Sequence, residues 1–238
     1  LRMDGVIDLT IDDIGLEKRD YEGFRTFPDG TRMTFYLDTC PFTGIGPAEF
    51  VIEDWRKVGV RTVSRDTART LFYIRKNSMN FDFNVWSGES DYLPLVLPRY
   101  FVPHHTESFY AVGWGRWFMR GGFYGDPDAA TGNSIAPPKD HPVYQAMSHY
   151  VNALEKPTLA EQKEEFGKAL KIAAENTWTI NISEAPPQLV VTKKGFRNVP
   201  KNALYGAIFF TPGNAGIETY FFDEPNDSPG AIRETKES

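Results

Sequence analysis

Phe81-Asp82-Phe83-Asn84-Val85-Trp86-Ser87-Gly88-Glu89-Ser90-Asp91 is the stretch that decides the reading of this chain. Apolar and polar residues alternate through Phe81–Trp86, the period of a strand with one covered face. The run then enters a short acidic and aromatic loop. Upstream, Met33-Thr34-Phe35-Tyr36-Leu37 and Val60-Arg61-Thr62-Val63-Ser64 read as two further strands, each followed by a helix. The first helix carries Pro47 in its first turn and an apolar stripe of Phe50, Val51, Trp55 and Val58, and it ends at Gly59. The second runs from Ala68 to Asn80, capped by Asp66-Thr67, with Leu71, Phe72, Ile74 and Met79 inward. Strand, helix, strand, helix, strand with short joints predicts an α/β fold with a mainly parallel sheet flanked by helices. Ligands of such sheets gather at the carboxyl ends of the strands. Trp86, Ser87, Gly88, Glu89 and Asp91 are therefore the first candidate ligand-binding residues.

Before the first strand, residues 6–16 have helical spacing and stop at Gly15. Residues 18–30 read as a hairpin closed by Pro28-Asp29-Gly30. After the third strand, residues 92–140 are rich in aromatics and turn formers. Tyr92, Tyr100, Phe101, Trp114 and Trp117 concentrate around the same expected cleft, where aromatic faces stack on sugars or sandwich peptide groups. Tyr100 and Trp114 join the candidate site. For Trp114 and Trp117, three apart, the buried stripe of a helix from about Ser108 to Met119 is an equal alternative. Two helices are expected at His141–Leu154 and Thr158–Asn176, the latter opening with Thr158 and Glu161 in capping-box spacing. Thr177–Ile182 and Gln188–Thr192 read as strands, and Asn226–Ser238 has the composition of a disordered tail.

The 238 residues, 41% of them hydrophobic, suffice for a substantial core. A net charge of −6 argues against nucleic acid as a partner. No stretch approaches the ~18 apolar residues of a membrane span. The single cysteine, Cys40, reads as a small buried hydrophobe. The first residues show no apolar secretory core, which alone suggests the cytoplasm. Signatures of serine hydrolases, zinc proteases, thiol redox centres and phosphate loops are all missing, and no cofactor or metal is called for. Glu89 and Asp91 leave a glycoside hydrolase as an alternative. His104-His105 with Glu107 is a weak metal motif, read instead as packing or surface. Asp126-Pro127-Asp128 is read as turn chemistry. A protein-docking surface over Trp114–Phe123 is a further alternative.

Several blocks carry a family resemblance. They are Leu16–Asp20 through Arg25, Pro28-Asp29-Gly30, Thr34–Leu37, Ile52–Val60, Phe81–Trp86, Ala174–Ile180 and Phe196–Pro200. In order and spacing the chain resembles the C-terminal half of an extracellular solute-binding protein of family 5, the oligopeptide, dipeptide and nickel receptors of ABC importers. That resemblance implies a periplasmic-binding-protein type II-like lobe. It divides the chain into a lead-in, 1–30, a ligand-binding lobe, 31–182, and a return segment, 183–238, toward a missing N-terminal lobe. It also implies a small peptide or oligosaccharide ligand, an ABC permease and ATPase as partners, no catalysis, and a site outside the cytoplasmic membrane. In peptide-binding relatives an Asp in the loop after this strand pairs with the peptide's amino terminus, and Asp91 or Glu89 holds the matching position.

Overall fold

The computed structural model describes residues 11–41, 43–88, 93–183 and 187–223, and the backbone but not the side chain at Ala207. Contacts divide the chain into two units, Leu1–Gly88 with Pro94–Ser183, and Glu89–Leu93 with Glu184–Ser238. The first unit holds β1 (Thr34–Thr39), α1 (Gly46–Lys57), β2 (Arg61–Asp66), α2 (Arg69–Asn77), β3 (Phe83–Asn84), α3 (Val112–Met119), α4 (Pro142–Leu154) and α5 (Leu159–Asn176). Its sheet has the order β2-β1-β3, and both pairings are parallel. The alternation of strand and helix thus builds the sheet expected of it, with β1 in the centre.

Central position explains why β1 is the most buried strand. Leu37, Asp38, Thr39 and Cys40 are all shielded from water. A carboxylate in that place is costly unless it is paired. Asp38 sits opposite Arg65 in register and receives both its Nε, at 2.6 Å, and its second guanidinium nitrogen, at 3.0 Å. Arg75 of α2 adds a second cation at 3.6 Å. One carboxylate therefore ties β1, β2 and α2 together.

β3 is shorter than the expected Phe81–Trp86. The Asp82 carboxylate accepts the Tyr36 N–H at 2.8 Å, so a side chain takes the place of a ladder bond there. Beyond Asn84 the Val85 N–H still reaches β1, at Asp38 O. The helices turn different faces inward from those expected. In α1, Ala48 is buried and Trp55 meets Phe83 at 4.9 Å, while Phe50 is 70% exposed and Val58 is also exposed. In α2 the inward pair is Phe72 and Lys76, and Leu71, Ile74 and Met79 face out. Asp66 does not cap α2. Its carboxylate instead accepts the Thr39 hydroxyl across the strand ends.

Residues 11–15 form turns and not the end of a helix, and the rest of that expected helix lies outside the described residues. The hairpin appears as two bridges, Arg19 with Arg25 and Thr26 with Arg32. Buried Arg25 anchors it by donating to the carbonyls of Val58 and Leu16. Gly59 ends α1 with φ +85°, and a Cβ there would strike the Arg19 guanidinium.

The larger apolar core lies between α3, α4 and α5, around Trp117, Phe118, Val143, Met147, Tyr150, Val151 and Phe166. Thr158 and Glu161 form the expected capping box on α5. Glu165 of α5 meets Lys168 on the same helix at 2.5 Å and His149 of α4 across the helix pair at 2.7 Å, and these bonds hold its carboxyl down to about 2. Gly115 of α3 lies so close to the His105 carbonyl that a Cβ would stand 2.6 Å from that oxygen. Gly115→Ala is therefore expected to destabilise the protein by about 2 kcal/mol, because a backbone carbonyl cannot swing aside as a side chain tip would. Urea unfolding checks this, and an unchanged midpoint would contradict the packing described.

Neither Thr177–Ile182 nor Gln188–Thr192 forms a strand. Thr177 leaves α5 in the left-handed region, and Trp178 then stacks on Tyr110 at 5.5 Å, so the segment docks through a ring. The second unit contains β4 (Phe196–Arg197) and β5 (Phe221–Phe222), an antiparallel pair. The expected tail, 226–238, lies outside the described residues.

Candidate functional site

Three parallel strands end at Thr39, Asp66 and Asn84, and the chain leaving β3 delivers Trp86 to that edge. Trp86 is half-buried and belongs to a small cluster with Cys40, Phe72, Phe109, Tyr73 and Tyr100. Its ring stacks on Phe72 at 5.3 Å and on Phe109 at 5.1 Å. Those two rings are only 6.5 Å apart. Tyr100 continues the pile, parallel to Phe109 at 5.7 Å, and its hydroxyl donates to the Ser87 carbonyl. The Arg69 guanidinium lies 5.2 Å from the Trp86 ring, and that of Arg99 lies 5.1 Å from Tyr100.

Trp86, Ser87 and Tyr100 are therefore brought together, with exposed Gly88 beside them. Glu89 and Asp91 lie outside the described residues. Trp114 goes elsewhere: it packs with the α4–α5 core and meets the His141 ring edge-on at 4.8 Å. Its neighbours Trp117 and Phe118 are buried, which removes the idea of an exposed aromatic docking face over that helix. The residues that back the pile were missed in the sequence. Phe109 and Tyr73 carried no period of their own, and Lys76 stood four after Phe72 on a stripe taken to be wholly apolar.

Phe109 is held from two sides. The Asn84 side-chain amide donates to its carbonyl at 2.9 Å, and Lys76 donates to the carbonyls of Thr106 and Ser108 just before it. A concavity of about 360 Å³ lies at the other end of β2, lined by Phe24, Ile52, Arg56, Arg61 and Val63 among others. It is remote from the carboxyl edge, and Arg61 there is already paired with Asp20 and Glu22.

Among the described residues no group of three or more His, Cys, Asp or Glu is placed to hold a metal. His104 instead packs edge-on against Tyr150 at 5.6 Å, as the packing reading expected. Burial pushes its imidazole down to about 4. The unfolded chain then binds the proton first, so stability is full above about pH 6.5 and falls as the pH drops toward 4. The loss is expected to reach about 3 kcal/mol across that window and to be abolished in His104→Phe, as read by urea unfolding at stepped pH. Asp126 accepts the Asp128 N–H, which is turn chemistry. Cys40 is fully buried.

A parallel sheet flanked by helices, with its open edge at the strand carboxyl ends, is the lobe architecture of periplasmic solute-binding proteins. Among solved structures the chain is similar to the oligopeptide-binding protein OppA, with 26% identity and a TM-score of 0.65 over 90% of this chain and 34% of that one. It is similar in fold to the periplasmic binding protein MelB from Agrobacterium fabrum in complex with stachyose, at 16% identity and TM-score 0.52 over 71% of this chain and 24% of that one. A third likeness is to a mannohexaose-bound periplasmic oligopeptide-binding protein from Thermotoga maritima, at 16% and 0.50 over 79% and 32%. The chain thus spans about a third or less of these structures, and all three are binding proteins. No protein-family model matches the chain, and no curated protein does. No helix of the described residues is long and apolar enough to cross a membrane.

Proposed function

We propose that this chain is the C-terminal lobe of a family 5 solute-binding protein, the receptor that captures oligopeptides for an ABC importer. The observation that carries this is the likeness to OppA across 90% of the chain, with the aromatic pile at the strand ends where such a lobe meets its ligand. The wall is Trp86, Ser87, Gly88 and Tyr100, and Glu89 or Asp91 supplies a carboxylate to the peptide's amino terminus. A charge-assisted bond of that kind is worth ~1.5–3 kcal/mol when shielded from water. Closure of a companion N-terminal lobe buries the peptide and presents the closed receptor to the permease and ATPase outside the cytoplasmic membrane.

The second unit supports a chain that returns to such a lobe. Leu189, Val190 and Val191 form a β-prone run and are 88%, 72% and 84% exposed, as a strand awaiting a sheet edge would be. An oligosaccharide is the second reading, since the same rings would stack on sugars and two of the similar structures hold sugars. A glycoside hydrolase remains the least supported, because it rests on Glu89 and Asp91 alone.

Calorimetric titration with tri- to pentapeptide pools and with oligosaccharides separates these readings. One lobe offers half a wall, so peptide affinity of only about 0.1–1 mM is expected, lost in Trp86→Ala. Nanomolar binding by this chain alone contradicts a two-lobe clamp, and turnover of chromogenic glycosides contradicts a receptor.

A further inference from the structure

We propose that Lys76 is a positioning residue: through the carbonyls of Thr106 and Ser108 and the face of Phe109, it sets where Trp86 and Tyr100 stand at the sheet edge. This rests on reading that edge as the ligand wall. Lys76 is 1% exposed, a rare place for a lysine. Packing alone does not ask for it, since methionine would fill the space without taking a charge out of water. Its ammonium donates to Thr106 O and Ser108 O and lies 5.1 Å from the Phe109 ring and 5.3 Å from that of Tyr73. Phe109 in turn stacks on both Trp86 and Tyr100. One buried cation therefore fixes the ring that the whole pile leans on.

The charges around it are mixed. Burial opposes its charge, Glu107 supports it, Arg99 and Arg116 oppose it, and together they hold the ammonium down to about 8. Tyr73, whose hydroxyl faces Glu107 at 3.5 Å, is pushed up by burial and stays protonated in this range. Above pH 8 the neutral amine loses its attraction to the ring faces and its charge-assisted bonds. The folded pKa lies below that of the unfolded chain, so deprotonation favours folding while it loosens the clamp. The two effects have opposite signs, which separates positioning from plain stability.

The test is fluorine NMR of 5-fluorotryptophan protein from about pH 6.5 to about 9.5. Trp86→Phe assigns the Trp86 resonance, and Cys40→Ala removes the thiol of the same cluster. The Trp86 resonance is expected to move with a midpoint near pH 8 and to stay still in Lys76→Met and Lys76→Arg, while Trp117 does not respond. Peptide affinity is expected to fall about fivefold further in the parent than in either variant over the same midpoint, beyond the fall common to all three as the peptide's own amino terminus loses its proton. A Trp86 signal that does not titrate, or titrates equally in Lys76→Met, overturns the proposal, and the parent titration decides this even where a variant fails to fold. A signal that follows Lys76, with the same loss of peptide affinity in the parent and in both Lys76 variants, upholds the clamp and overturns the ligand wall.

Discussion

Arg65→Met is expected to lower the unfolding free energy by about 3 kcal/mol, the cost of leaving a buried carboxylate short of its partner. Asp38 is 1% exposed and cannot recover water, whereas Arg65, partly open to solvent, can. The asymmetry predicts an order. Arg65→Met harms the fold more than Asp38→Asn does, since an amide in the same place is neutral and still bonds. It also predicts rescue. Asp38→Leu combined with Arg65→Met removes both charges, and most of the lost stability is expected to return. Arg75, at 3.6 Å, moderates the single change and would be left unneutralised in the pair, so the rescue is incomplete. Urea unfolding of the parent, Arg65→Met, Asp38→Leu and the double variant closes the cycle and gives the coupling directly, with Asp38→Asn measured beside them. Equal losses in both single variants, with no recovery in the double, would show that the ion pair does not organise the sheet.

Phe109→Ala is the second large effect, about 4 kcal/mol of stability together with loss of the peptide binding proposed above. Phe109 is 6% exposed, and three aromatic neighbours, Phe72, Trp86 and Tyr100, meet its ring. Truncation removes the transfer energy of the ring and leaves a hollow that the neighbours fill only by tilting. Trp86 and Tyr100 would then lose the plane that aligns them. Phe109→Leu keeps most of the volume without the flat face. It is expected to retain much of the stability and little of the alignment, so binding falls further than folding. Chemical denaturation and peptide titration of the two variants measure the split, and a parallel decline in both quantities would reduce Phe109 to ordinary core.

The scaffold was largely legible because its signals are local. Pro47 near the start of α1, Gly59 at its end, the Thr158–Glu161 box and the β-prone runs around Phe35 and Val63 each depend on neighbours a few residues away. Which face of a helix turns inward was less legible. Phe50 and Ile74 are more apolar than Ala48 and Lys76, which are buried in their helices instead, and the difference is made by what each helix face packs against. The stretch 177–182 has strand composition yet forms no strand, and Trp178 there stacks on Tyr110. Among the candidate residues, Trp86 and Tyr100, which the sequence grouped by their place after β3 and in the aromatic run, share one cluster. Trp114 shared that composition and went to the α4–α5 core, since a helix sends its residues to whichever neighbour covers it.

Chain order alone thus determined a parallel α/β unit and the loop that its third strand presents, since strand and helix periods and their punctuation are properties of adjacent residues. Tertiary structure alone decided that Asp38 is neutralised from β2 and α2, that Phe109 backs Trp86, and that a lysine lies among rings. Those pairings join residues 23 to 37 positions apart, and their energy arises from exclusion of water, which no local pattern records.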